Sequence, residues 1–198
     1  MSAALQLPDP MTLEAFLVWD APDGARWQLV DGVPVAMAPA SPVHASIQTE
    51  LARLIGNHLA QQGGQCRAYI APGIRLGRNA DRNFRIPDLG VSCTPLARGE
   101  MMLPDPVLLV EILSPGNAAE TWTNVWAYTT ISSVREILVI RTDLIGAQLL
   151  RRDPDGSWPP VPSEVDPGAL SLQSIGLETT LSPLYAGTWL LDHANRSN

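Results

Sequence analysis

Asp88 and Glu111 are the residues whose setting first suggests chemistry. Asp88 follows Pro87 and opens the apolar run 89–91, and Glu111 interrupts the apolar run 107–113. A run of that length without alternation suggests a strand covered on both faces. A carboxylate there is costly unless it is paired, hydrogen-bonded or bound to metal. Two carboxylates brought side by side on adjacent strands repel each other, and a divalent cation relieves the repulsion. The residues alone therefore point to a hard-metal site made by Asp88 and Glu111. A plainer reading stands beside it. An aspartate after proline also suits a turn, and a lone glutamate in a strand can be salt-bridged or lie at an edge.

The elements that must position these acids can be read from pattern. Residues 86–93 and 107–113 are the central strands, joined by a loop holding Gly99 and Pro104. A helix starting at Gly116 or Asn117 and running to about residue 131 follows them. It puts Glu120, Asn124 and Tyr128, spaced by four, on one face. Trp122, Val125, Trp126 and Thr129 form another face, expected to pack in the core. Upstream, residues 1–10 read as a loose tail, and Thr12 caps a short helix through Trp19. A turn holds Pro22 and Gly24. Strands over 26–30 and 33–37 are joined by Asp31-Gly32, a strong hairpin signal. Pro39 and Pro42 break the chain before a long helix over 44–61. In that helix Ile47, Leu51, Leu54, Ile55 and Leu59 recur at helical spacing, and Gly63-Gly64 ends it.

Strands are expected over 66–71 and 73–76. Arg75, Arg78, Arg82 and Arg85 then cluster ahead of Asp88, either to grip a phosphate backbone or to solvate a hairpin tip. An apolar strand covers 134–140 and a further one 147–151. Residues 153–156 turn, 158–167 wander, and 170–181 supply a last short strand. The end after Leu190 is polar and expected to fray. The class is α/β: a central mixed sheet with a helix on each face and an N-terminal hairpin beside it. One domain is expected over residues 1–198, with an ordered core over about 11–190.

The net charge is -7, and all 13 Lys+Arg residues are arginine. That balance argues against a protein that coats DNA in bulk, which needs many cations. It leaves room for an enzyme whose acids bind metal and whose arginines act locally. Cys66 and Cys93 match no metal or redox spacing and are expected to be reduced thiols in a cytoplasm. No signal peptide and no membrane-spanning run is visible.

Several short motifs follow one another in order. They are Arg26-Trp27-Gln28-Leu29-Val30-Asp31-Gly32, Met37-Ala38-Pro39, His44, Pro87-Asp88 and Val110-Glu111-Ile112-Leu113-Ser114-Pro115. Glu120, Asn124 and Tyr128 come next, then Ser133-Val134-Arg135-Glu136-Ile137-Leu138. The ordered set, from about Met11 to Tyr185, resembles the Uma-two family of restriction-endonuclease-type proteins in the PD-(D/E)XK nuclease superfamily. The resemblance implies a restriction-endonuclease-like fold and a DNA endonuclease that hydrolyses phosphodiesters with Mg²⁺, or with Mn²⁺ as substitute. It implies Asp88 and Glu111 as metal ligands, with the Ile112 carbonyl as a third oxygen. His44 matches the family histidine, although a helix-start residue touching solvent is the plainer reading of it.

The departures bear on activity. Gln28 stands where the family has its first glutamate; it can hydrogen-bond there but adds no charge. Glu120 replaces an aspartate. Asn124 replaces the lysine, and no lysine elsewhere in the chain can stand in. An asparagine can position a water but cannot take its proton or supply positive charge. Two readings follow. One is a weak Mg²⁺-dependent endonuclease. The other is a catalytically inactive nuclease-fold protein kept as a binding or regulatory module. In either case DNA binding is expected to be weak by charge, no membrane is involved, and a homodimer is left open.

Overall fold

The computed structural model describes residues 10–21 and 24–191. The tail over 1–9, Pro22 of the expected turn and the end over 192–198 lie outside the described residues.

Helix α1 (Leu13–Leu17) begins where the Thr12 hydroxyl accepts from the Ala15 amide at 3.2 Å. Strands β1 (Trp27–Val30) and β2 (Val33–Ala36) form the expected hairpin. Its turn residues Asp31 and Gly32 have φ of 49° and 85°. Such paired positive values match the twist of the flanking strands. The Asn83 side chain braces the turn: its Oδ1 accepts from Asp31 N at 3.1 Å, and its Nδ2 donates to Asp31 Oδ1 at 3.0 Å.

Helix α2 (Pro42–Gln62) is capped by Ser41, whose hydroxyl accepts from His44 N at 3.2 Å. Pro42 opens this helix instead of breaking the chain, because a proline in the first turn gives up an amide that has no helical partner. Gly63 ends it at φ 68°. Ile47, Leu51, Ile55 and Leu59, four residues apart, are buried on one stripe.

The remaining strands are β3 (Arg67–Ile70), β4 (Ile74–Arg75), β5 (Phe84–Arg85), β6 (Leu89–Ser92) and β7 (Pro106–Leu113). After β7 come a 3-10 turn over Pro115–Asn117 and helix α3 (Ala118–Tyr128). Then follow β8 (Glu136–Arg141), β9 (Ala147–Arg151), β10 (Ser163–Glu164), β11 (Leu170–Leu172) and β12 (Leu177–Thr179). A small sheet runs β2-β1-β5-β4, and the main sheet runs β10-β9-β8-β7-β6-β3. In the main sheet only β7 and β8 are parallel, with α3 as their crossover; the other neighbours are antiparallel. The sheet is therefore mixed, as expected.

Alternation along β7 divides the core in two. Leu108, Val110 and Ile112 meet the apolar stripe of α2. Leu109 meets Val125 and Tyr128 of α3, with Ile137 and Val139 of β8 beside them. The strand is covered on both faces, as its apolar run without alternation required.

Several expectations are corrected. Cys66 and Cys93 are joined in a disulfide, not held as two reduced thiols. The cause is register: Arg67 of β3 lies opposite Ser92 of β6. One step further along that antiparallel ladder puts the two cysteines face to face, which sequence spacing could not show. The final segment is a hairpin, β11–β12, and not a single strand. Trp126 is 39% exposed instead of packing in the core. A short strand, β10, lies in the stretch expected to be irregular. Among the described residues no helix is long and apolar enough to cross a membrane.

Candidate active site

The β6–β7 ladder runs out at the pair Leu89–Val110. One more antiparallel step brings Asp88 level with Glu111, with no strand hydrogen bonds between them. Asp88 fills that gap with its side chain, accepting from the Ile112 amide on Oδ2 at 2.7 Å. Its other oxygen lies 2.8 Å from His44 Nε2, and its main-chain carbonyl accepts from Gln48 Nε2 at 2.8 Å. His44 and Gln48 are four apart, so both leave the same face of the first turns of α2. The helix start thus fixes the side chain and the backbone of Asp88 together.

Glu111 points to the other face of β7. Its Oε1 accepts from the Tyr128 hydroxyl at 2.5 Å, and the side chain is buried. Burial first, and then the charge of Asp88, push the Glu111 carboxyl well above its ordinary value. The Tyr128 hydrogen bond favours the ionised form but is outweighed. Burial and the Glu111 charge in turn push Tyr128 up.

Asn124 lies one helical turn before Tyr128 and is also buried. Its Oδ1 accepts from Arg85 Nε at 3.0 Å. Arg85, at the end of β5, also donates from Nη1 to the Leu29 carbonyl of β1. Gln28 on β1 is buried, and its Oε1 accepts from the Ile86 amide at 3.2 Å. It sits against the backbone two residues before Asp88 instead of facing solvent.

The structure therefore brings Asp88, Glu111 and Ile112 into one group. Asn124 shares a helix face with Tyr128, but its hydrogen bond goes to Arg85 and not to that group. Gln28 joins at the periphery, its oxygen held by backbone. His44 is overturned as a solvent-facing residue, since its ring is on Asp88. Gln48 was missed; the only signal for it was its position four residues after His44. Arg85 was grouped with three exposed arginines, yet it is 3% exposed.

Asp88 and Glu111 supply hard anionic oxygens. A strand residue presents its N–H and C=O to the same side, so the Ile112 carbonyl faces the Asp88 edge as its amide does. That donor set suits Mg²⁺, which accepts one or two carboxylates and keeps several waters. It does not suit a metal that needs a full protein cage. Among the described residues no group of three or more His, Cys, Asp or Glu is placed to hold a metal ion.

A mixed sheet between two helices, with two carboxylates where its ladder opens, is a restriction-endonuclease-like fold. A solved structure shares the fold: a "putative nuclease belonging to DUF820" from Anabaena variabilis ATCC 29413. It is 18% identical, covers 89% of this chain and 98% of its own, and superposes with a TM-score of 0.71. Residues 13–183 match the Uma2 family, described as "Putative restriction endonuclease". The chain belongs to that family. No curated protein matches it.

Proposed function

We propose that this protein is a Mg²⁺-dependent DNA endonuclease with a low intrinsic rate. One observation carries the reading: in a chain of the Uma2 family, Asp88 and Glu111 abut where the β6–β7 ladder opens, and burial, then the charge of Asp88, pushes Glu111 up. A buried acid whose ionisation is disfavoured by burial and by the carboxylate beside it is better explained by a cation held there than by a structural need.

In this reading Asp88, Glu111 and the Ile112 carbonyl hold the ion. When bound, Mg²⁺ would polarise the scissile phosphodiester and acidify a coordinated water. The chain's own residues set the geometry. The Ile112 amide and His44 aim the two oxygens of Asp88. Tyr128 aims Glu111. Asn124 and Gln28 fill the places of a lysine and a glutamate without their charges, which is why the rate is low. Loss of one acid–base group often costs on the order of two to four powers of ten. One site per chain cuts one strand; a homodimer would cut two.

Incubation of supercoiled plasmid with the protein and Mg²⁺ or Mn²⁺ tests the proposal. Nicking that disappears with chelator and in Asp88→Ala supports it. The neutral Asn124 also favours a second reading, an inactive binding or regulatory module. A protein that binds DNA but never nicks it, with either metal, would establish that reading instead.

A further inference from the structure

Among the described residues Arg85 is a buried cation without an anionic partner. Among the described residues the ion pairs of arginine involve Arg53, Arg82, Arg141 and Arg151, and none involves Arg85. Its two hydrogen bonds go to neutral acceptors, the Leu29 carbonyl and Asn124 Oδ1. A guanidinium has five N–H groups, so these two acceptors leave most of its fork uncommitted. Burying a charge is costly unless it is paired, and a guanidinium stays protonated at any relevant pH. A purely structural arginine at 3% exposure would be expected to carry a carboxylate. Glu120 and Asp31 are near enough to be felt electrostatically but do not reach ion-pair distance. Arg85 also lies on the Glu111 side of the sheet, since it donates to Asn124 of α3, the helix whose Tyr128 holds Glu111.

We propose that Arg85 receives a phosphodiester oxygen of the bound nucleic acid beside the Asp88–Glu111 pair, and that Asn124 is the positioning residue that holds it there. This rests on the nuclease reading and deepens it by naming the group that meets the substrate's charge. The neutrality of Asn124 then has a use: an acid there would neutralise the guanidinium, and a second cation there would repel it. The carboxamide oxygen orients Arg85 Nε and leaves its charge for the ligand. The arginine fork matches two phosphate oxygens better than an ammonium does.

The test measures binding of the full-length protein to a double-stranded oligonucleotide in Ca²⁺, across a salt series, with plasmid nicking and thermal melting alongside. Each lost phosphate contact lowers the slope of log affinity against log salt by about one. Arg85→Met should weaken binding about tenfold and remove about one unit of slope. Arg85→Lys should keep the slope. The double variant Arg85→Met with Asn124→Lys, which moves the charge to α3, should restore it; a merely structural arginine would not be rescued this way. If Arg85→Met fails to fold, Asn124→Asp, nearly isosteric, pairs the guanidinium in place and should lose the same unit while melting no lower than wild type. An unchanged slope in folded Arg85→Met, or in Asn124→Asp, overturns the inference while wild-type nicking leaves the nuclease reading intact. Wild-type protein that neither binds nor nicks overturns both.

Discussion

The two faces of β7 carry the same backbone and opposite chemistry. On the α2 side Leu108, Val110 and Ile112 meet a stripe of hydrocarbon from Ile47 to Leu59. On the α3 side Leu109 is followed by Glu111, and the helix answers with Tyr128 and Asn124, with Arg85 behind them. The first face gains by removing apolar surface from water. The second holds a buried carboxylate that burial and a neighbouring charge disfavour. The apolar packing and the candidate site are thus divided across one strand, and the candidate site lies on the face where local rules of core composition are broken. The α2 side contributes to the site only at the helix start, through His44 and Gln48.

That division predicts different responses to substitution. The largest effect on stability should come from the apolar face. Leu51→Ala is expected to cost about 2–5 kcal/mol in denaturant unfolding while leaving Mn²⁺ affinity unchanged. A large loss of metal binding in the folded variant would show that the faces are not independent.

A smaller effect, and equally silent at the site, is expected at the β3–β6 staple. The disulfide spans a sequence separation of 27 residues, so replacing both cysteines by serine should cost roughly 3 kcal/mol. Plasmid nicking below the melting temperature should persist. Two free thiols titrated in the native, unreduced protein would contradict the bond itself.

The smallest effect should come from the acid face, with the opposite sign. Glu111 is raised above its ordinary value of 4.5, so the folded state holds its proton when the unfolded chain has lost it. The stability this gives is fully present below that ordinary value and is lost as pH rises through the raised one. The metal-free protein should therefore melt lower at mildly alkaline than at mildly acidic pH. Glu111→Gln should flatten that dependence and raise the alkaline melting temperature. If wild type and Glu111→Gln show the same pH profile, the carboxyl is not disfavoured in the way the geometry implies.

Much of this was legible in the chain. The apolar run 107–113, without alternation, announced a strand covered on both faces, and its single acid marked the candidate site. Asp31-Gly32 announced the hairpin. The i, i+4 spacing of Glu120, Asn124 and Tyr128 placed them on one face. What stayed hidden depended on register and on distant partners. The Cys66–Cys93 bond follows from the β3–β6 ladder. The engagement of His44 follows from where α2 begins relative to the start of β6. Arg85 looked like one member of an arginine cluster, because composition cannot tell a guanidinium under α3 from one at a hairpin tip. Pro42 looked like a breaker because its role depends on whether Ser41 caps the helix before it. In each case the local signal was sound and a contact from far along the chain decided its meaning.

The central claim is that Asp88 and Glu111 share one divalent ion. Calorimetric titration of Mn²⁺ into the full-length protein tests it most directly, with Asp88→Ala and Glu111→Ala run beside wild type and all three checked for folding. We predict one ion per chain in wild type and loss of that binding in both variants. Saturable binding that survives both substitutions, or no binding by folded wild type, would contradict it.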